Sequence, residues 1–345
     1  MLLKHIGKYS KFALYGAQVV AYGAYTAIKY LTNQSPECFI VSNPEGNPNE
    51  IDGIPVTLLD AVPTDTLIII AVTELLQDEI ALALQSRGYT HTFRLTAHEE
   101  HLLMSAYYGS IGMFPLAAKE PDKKKDMALY EVRHHLDKPL HNHPTLESWE
   151  KPIQAGAELT DMCICEQLDN TGGNISVKNK QYCEASVMYW VWKNAKAPWV
   201  GIEHYRRHLL VGPDMLSDGA DAILPLPYIC YPNSQAQFTR FVGEEVVTLL
   251  LSALKMLYPN EYSVYVRCLQ GKYHYAYNLI AAQLPVFSDY CEWAFRITNY
   301  IESLGIEKIS HSRALAYIME QLTSIYFITN QKRLTIKHAE RAIYT

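Results

Sequence analysis

The residues best suited to chemistry form two clusters about thirty positions apart. One is Asp169-Asn170-Thr171-Gly172-Gly173-Asn174-Ile175-Ser176, followed by Lys178 and Asn179. The other is Glu203-His204-Tyr205-Arg206-Arg207, directly after the apolar run Trp199–Ile202. An Asn/Gly loop with Ser176 at a helix start offers unpaired N–H groups and the positive end of a helix dipole to an anion. Arg206 and Arg207 can grip phosphate oxygens bidentately, and Lys178 adds charge. At an effective dielectric of 20, one cation–phosphate contact at 4 Å is worth about 4 kcal/mol. Two such contacts would do much of what a divalent cation does for a departing diphosphate.

The elements that must position these residues follow from the pattern. Asp161–Cys165 reads as a strand and Glu166–Ile175 as a loop. A helix is expected from Ser176 to about Asn194, with Tyr182, Ser186, Tyr189 and Lys193 on one face. Trp199–Glu203 reads as a second strand. A strand, a crossover helix and a strand make a right-handed unit. Both clusters then fall at the carboxyl edge of the sheet, where open α/β folds bind ligands. A crevice lined by Asn174, Ser176, Lys178, His204, Arg206 and Arg207 is therefore expected to hold a diphosphate.

The 345-residue length suggests two domains. Residues 1–118 alternate strand and helix signals: Lys11–Tyr15, Ala17–Leu31, Cys38–Val41, the apolar Leu67–Val72 and the amphipathic Leu75–Ser86. The expectation is a small Rossmann-like doubly wound domain. Lys4, Lys8 and Lys11 before Phe12–Ala24 could pass for a leader, but a strand, a glycine turn and a helix explain the same residues. Gly16-Ala17-Gln18 lacks the second glycine of a dinucleotide fingerprint, which leaves a plain strand-to-helix turn. Residues 119–126 read as a charged linker, 127–330 as a second α/β domain, and 331–345 as a basic tail.

Other features narrow the reading. A net charge of −6 argues against nucleic acid as a partner. The seven cysteines include no CxxC pair, and reduced thiols in a cytoplasmic protein are expected. His134, His135, His141 and His143 lie in a proline-bounded stretch whose H-H and H-x-H pairs could ligate a metal, though the spacing fits no helix-face pair; a loop over the donor pocket and an ordinary surface are the other readings. Asp161, Asp169, Glu184 and Glu203 are the carboxylates that could act as general base. Tyr273, Tyr275 and Tyr277 alternate as on one face of a strand and precede Asn278. Trp293 and Arg313 sit on later helices.

Across Met127–Phe327 the sequence resembles a bacterial glycosyltransferase family long catalogued as a domain of unknown function. Its members are common in capsule, exopolysaccharide and O-antigen gene clusters. The resemblance is carried by Asp169-Asn170-Thr171-Gly172-Gly173-Asn174-Ile175-Ser176-Val177-Lys178-Asn179, then Tyr182-Cys183-Glu184, Tyr189-Trp190-Val191-Trp192-Lys193-Asn194 and Gly201-Ile202-Glu203-His204-Tyr205-Arg206-Arg207. Weaker matches are Pro152–Ala157, Tyr277-Asn278, Tyr290–Trp293, and Arg313 with Glu320. It implies a GT-A-like domain that transfers a sugar from a nucleotide donor, UDP-linked by first preference, to a glycan or lipid-linked glycan acceptor.

His204-Tyr205-Arg206 stands where that fold usually carries an Asp-x-Asp metal motif. The expectation is therefore transfer without a cofactor or divalent metal, a bound metal being disfavoured by a cationic turn. Glu203, His204, Arg206 and Arg207 are the expected catalytic residues. Asp169, Asn174, Ser176, Lys178, Asn179, Glu184, Tyr205, Tyr277, Asn278, Trp293 and Arg313 are the expected substrate-binding residues. The family usually carries acids where Gly173 and Val177 stand, so specificity or activity is expected to differ. The basic stretch 331–345 would suit contact with the inner face of a membrane. Two competing readings are a non-catalytic sugar-nucleotide-binding subunit and a nicotinamide-dependent sugar-modifying enzyme.

Overall fold

A computed structural model describes residues 2–216, 219–306 and 313–345. The chain folds as two compact units. One takes in the chain up to Met113 together with Tyr228–Tyr231, and the other comprises Phe114–Pro227 and Pro232–Tyr344.

The first unit is a doubly wound sheet. Its strands run in the order Glu50–Ile51, Ile54–Leu58, Phe39–Val41, Phe12–Tyr15, Leu67–Ile70, Thr92–Arg94. Every pair is parallel except the Glu50–Ile51 hairpin at one edge. Leu67–Ile70 is buried along its whole length, as a continuous apolar run requires of a strand covered on both faces. Helix Val19–Thr32 buries Ala21, Ala24, Ala27 and Ile28 and ends at Asn33, a left-handed cap (φ 58°) whose N–H donates to the Lys29 carbonyl. Gly16 has a structural reason for being glycine. At φ 124° its Cα faces the next strand's end, and a Cβ would lie 2.6 Å from the Ala71 carbonyl oxygen.

The second unit is built on one mixed sheet. Its main path runs Gln167–Leu168, Glu150–Gln154, Met127–Arg133, Trp199–His204, Ile280–Gln283, Ala222–Pro225, Ile336–Ala339. Ile280–Gln283 is antiparallel to both neighbours, and the remaining pairs on this path are parallel. The two faces are distinct. Tyr130 meets Trp190 of helix Ala185–Asn194 edge-on on one face, with ring centroids 5.5 Å apart. Met127, Leu129 and Trp199 pack with Leu209, Val211, Met215 and Leu216 on the other. Gly201 sits between them because a Cβ there would collide with the Ile280 carbonyl of the adjacent strand. Among the described residues no helix is long and apolar enough to cross a membrane.

The structure departs from the expected elements in four places, each with a local cause. No strand forms over 161–165, and the third parallel strand is the later, shorter Gln167–Leu168. The side chain of Gln154 intercepts that backbone: Nε2 donates to the Met162 carbonyl (2.7 Å) and Oε1 accepts from the Ile164 N–H (2.8 Å). The single helix expected from Ser176 is instead a 3₁₀ turn Ser176–Lys178, a short helix Asn179–Tyr182 and helix Ala185–Asn194. It breaks at Cys183, which takes φ 48°, ψ −128°. The stretch 119–126 does not form a free linker: the Glu120 and Lys125 N–H groups donate to the Asp214 and Pro213 carbonyls of the second unit. Nor is 331–345 a free tail, because Ile336–Ala339 joins the sheet edge and Arg341–Ile343 pairs with Arg207–Leu209.

Candidate functional site

The carboxyl edge of strand Trp199–His204 carries the site. His204 and Arg207 pair across a tight hairpin whose turn is Tyr205-Arg206. The Tyr205 N–H donates to the Val132 carbonyl (3.0 Å), so the turn is pinned to the end of the neighbouring strand. The Arg207 guanidinium lies over the Tyr277 ring, 4.3 Å from its centroid, and Arg206 lies 5.5 Å from that of Tyr205. Among the described residues neither guanidinium is in a salt bridge, and the buried Arg206 Nε has no hydrogen-bond partner. Burial, reinforced by the charges of Arg207 and Arg206, pushes the His204 imidazole down to about 3. His204 is thus neutral at neutral pH, and its buried Nε2 has no partner.

A second wall comes from Tyr277 and Asn278. Both take left-handed backbone angles (φ 69° and 51°), and strain of this kind in two successive non-glycine residues gathers at functional sites. Asn278 is fully buried. Its Nδ2 donates to Glu184 Oε1 (2.8 Å), and its Oδ1 accepts from the Thr323 hydroxyl (2.9 Å). The Tyr290 hydroxyl lies 2.7 Å from Thr323 Oγ1. Glu184 stands immediately before helix Ala185–Asn194, just after the break at Cys183. Burial, with the nearby Glu320 charge, pushes its carboxyl up to about 7, while Asn278 and Arg207 pull the other way. Such a carboxylate exchanges a proton near neutrality, as a general base must. Burial also pushes Asp137 up to about 6, against the pull of the His134 N–H, which it accepts at 2.7 Å, and of Arg206.

Several expected ligands are occupied elsewhere. Asp169 is fully buried and accepts from the Gly156 and Ala157 N–H groups (3.0 Å each), the Ser176 hydroxyl and the Ser186 hydroxyl (2.8 Å). It holds the loop together. Ser176 is equally buried and its Oγ also accepts from the Glu158 N–H (3.1 Å). Asn179 Nδ2 donates to the Cys183 carbonyl (2.8 Å) and Ser186 Oγ (2.9 Å), bracing the helix break. Asn174 Oδ1 accepts from the Ser176 N–H (3.2 Å), a local turn. Lys178 Nζ meets both Glu302 oxygens, at 3.0 and 2.9 Å. Trp293 packs among Tyr258, Tyr265 and Tyr326. Arg313 is exposed, and its charge is felt at Cys183 and His134. Of the two positions expected to be acidic, Val177 is exposed and Gly173 lies against Lys193.

Glu203 turns away from this edge. It is fully buried on the opposite face of the sheet, where its Oε2 accepts from the Leu209 N–H (3.2 Å) and its Oε1 lies 3.5 Å from His208 Nδ1. The expected alternation of Tyr273, Tyr275 and Tyr277 does not form either. Only Tyr273–His274 is strand, and Tyr275 is buried with its hydroxyl 2.8 Å from His338 Nε2. The structure therefore gathers His204, Arg206, Arg207, Tyr277, Asn278 and Glu184, and draws Asp169, Ser176, Asn179 and Glu203 into supporting packing. The sequence left Thr323, Glu131, Glu150 and His208 unremarked. Glu131 carried a usable signal, a charge in the middle of the apolar strand Met127–Arg133. At the turn after strand Trp199–His204, where the sequence led one to expect no metal, the side chains are an imidazole, a phenol and two guanidiniums. That donor set does not fit a cation.

A solved structure, the WbbM bifunctional glycosyltransferase in its apo form, is similar to this chain with a TM-score of 0.54 and 26% identity. The likeness covers 63% of this chain and 45% of that one, so it spans less than half of the WbbM chain. No curated protein matches the chain. The family described as "Domain of unknown function (DUF4422)" matches residues 132–331, more than half of the sequence. The chain belongs to that family.

Proposed function

We propose that the second unit is a glycosyltransferase that moves a sugar from a nucleotide-diphosphate donor, UDP-linked by first preference, to a glycan acceptor of a bacterial surface polysaccharide. The observation that carries this reading is the pair of unpaired guanidiniums, Arg206 and Arg207, at the carboxyl edge of the central strand, with Glu184 close enough to feel Arg207. The similarity to a solved glycosyltransferase supports the same reading.

In this mechanism the acceptor hydroxyl oxygen bonds to the anomeric carbon of the donor sugar. The bond from that carbon to the β-phosphate oxygen breaks, and the nucleoside diphosphate leaves with the electron pair. Arg206 and Arg207 bind its oxygens and offset the developing charge, the part a metal plays elsewhere. The acceptor proton passes to Glu184, which Asn278 holds by Oε1. His204, neutral and with a buried nitrogen unpartnered, is placed to hydrogen-bond donor or acceptor. The raised carboxyl of Glu184, beside Asn278 and facing Arg207, supports an enzyme rather than a pure binding subunit, since carboxyls raised in this way gather at catalytic sites.

The test is a thermal-shift screen with UDP-, GDP- and dTDP-sugars in the presence and absence of metal, followed by UDP release with water as acceptor. The expected result is a shift with one nucleotide class that persists without metal, and slow release of that nucleotide. A nucleotide that binds and is never released would make the chain a binding subunit.

A further inference from the structure

The sheet face opposite Tyr130 and Trp190 holds a closed cluster that the proposed transfer does not use. Glu131 and Glu203 are register partners on adjacent strands, and His208 returns against them from the hairpin. Glu150 opens the next strand. Glu131 and Glu203 are 0% exposed and His208 is 2% exposed. His208 Nδ1 lies 3.3 Å from Glu150 Oε1 and 3.5 Å from Glu203 Oε1. On the other side of the ring, Nε2 lies 3.4 Å from Glu131 Oε1, and Glu131 Oε2 accepts from Arg133 Nε (2.6 Å). The Tyr344 ring closes edge-on over His208, 5.1 Å between centroids. Glu203 Oε1 is buried here with no hydrogen-bond partner.

Three carboxylates face one guanidinium and one imidazole, so the cluster must be closed either by protons on Glu203 and His208 or by an ion in their place. A divalent cation beside a neutral imidazole would balance three carboxylates and Arg133. The distances suit it. A tetrahedral ion with bonds of about 2.0–2.1 Å has ligand-to-ligand edges of roughly 3.3–3.4 Å. The two edges at Nδ1 are 3.3 and 3.5 Å, and the three donor atoms all lie within 4.8 Å of one another. Histidines that bind metal through one nitrogen usually give the other N–H to a carboxylate, which is where Glu131 stands.

We propose that Glu150, Glu203 and His208 bind a divalent transition-metal ion, with Glu131 orienting the His208 ring and Arg133 holding Glu131. The ion lies on the opposite sheet face from His204 and Arg207, so it fixes the base of the Tyr205-Arg206 hairpin and does not bridge a diphosphate. The inference rests on this cluster alone and stands whether or not the chain transfers sugars.

The test uses the full chain, stripped with a chelator and dialysed, then titrated with Co²⁺ and afterwards with Zn²⁺. Expected are one equivalent of bound Co²⁺, a visible absorption band typical of a four-coordinate nitrogen/oxygen site, and its loss when Zn²⁺ is added. Glu131→Gln should weaken binding by about 10–100-fold while keeping the band. His208→Ala and Glu203→Gln should abolish it, and Glu302→Gln, a carboxylate elsewhere in the unit, should leave it unchanged. Wild-type protein that takes up no Co²⁺, or a band that survives His208→Ala, would overturn the assignment. The wild-type and Glu131→Gln titrations decide even if the ligand variants do not fold.

Discussion

Replacing Glu184 with glutamine should make the protein more stable and less active at the same time. Burial and Glu320 raise this carboxyl from 4.5 to about 7 in the folded state. A carboxyl whose folded value is raised binds its proton more tightly folded than unfolded. Its favourable contribution is present below about 4.5, is lost as the pH climbs, and is gone above about 7. Each pH step across that interval is worth about 1.4 kcal/mol, so the ionised Glu184 costs the fold on the order of 3 kcal/mol at pH 8. Residual hydration brings the expected figure nearer ~2 kcal/mol.

Glutamine keeps the acceptor for Asn278 Nδ2 and removes the charge. At pH 8 the Glu184→Gln variant should therefore melt about 4–8 °C above the wild type. At pH 4.5 the two should melt together. Loss of a general base should meanwhile cut nucleotide release by roughly 10²–10⁴-fold. In the wild type, that release should fall as the pH drops through about 7 and Glu184 takes up its proton. Differential scanning fluorimetry at the two pH values and coupled detection of UDP are the assays. A variant that melts lower at pH 8, or releases UDP at the wild-type rate, would refute the argument.

Three further outcomes are expected. Arg207→Ala should weaken UDP binding by roughly 10–100-fold in calorimetry, from lost charge-assisted hydrogen bonds of about 1.5–3 kcal/mol. Arg207→Lys should recover only part of this, because it keeps the charge and loses the planar fork. Lys178→Met should leave UDP affinity within about twofold, since its ammonium is engaged by Glu302 in a half-buried pair away from the proposed phosphate site. A larger loss would return Lys178 to the phosphate site. Asp169→Asn should lower unfolding stability in urea by about 3 kcal/mol, because one buried carboxylate holds two backbone N–H groups and two hydroxyls. Wild-type stability in that variant would show that the loop is held by other means.

What could be read from the sequence was what local pattern determines. The run Trp199–Ile202 followed by His-Tyr-Arg-Arg announced a buried strand ending in a polar edge, and that edge is where His204, Arg206 and Arg207 stand. Leu67–Val72 announced the fully covered strand of the first unit in the same way. The misreadings came from side chains overruling the backbone pattern. Nothing in Asp161–Cys165 says that Gln154, several residues earlier, will take its amide groups. Nothing in the heptad-like run from Tyr182 to Lys193 says that Cys183 will leave the helical region, because the break is held by Asn179 bonding the Cys183 carbonyl and by Asp169 taking the Ser186 hydroxyl. The same limit explains Glu184. Its neighbours Asn278, Glu320 and Arg207 are far away in sequence, so the raised carboxyl was invisible until the chain closed. Glu203 departs from the expectation for a simpler reason: strand alternation sends it and His204 to opposite faces.

The pairing of Arg207–Leu209 with Arg341–Ile343 has a practical side. The arginine hairpin borrows its outer hydrogen-bonding edge from the last stretch of the sequence, and the Tyr344 N–H donates to the Arg206 carbonyl itself (2.9 Å). Trimming that stretch for crystallisation would unzip the arginines from their brace while leaving the rest of the sheet intact. Such a preparation would look well folded while the arginines that the proposed transfer relies on had lost their hold.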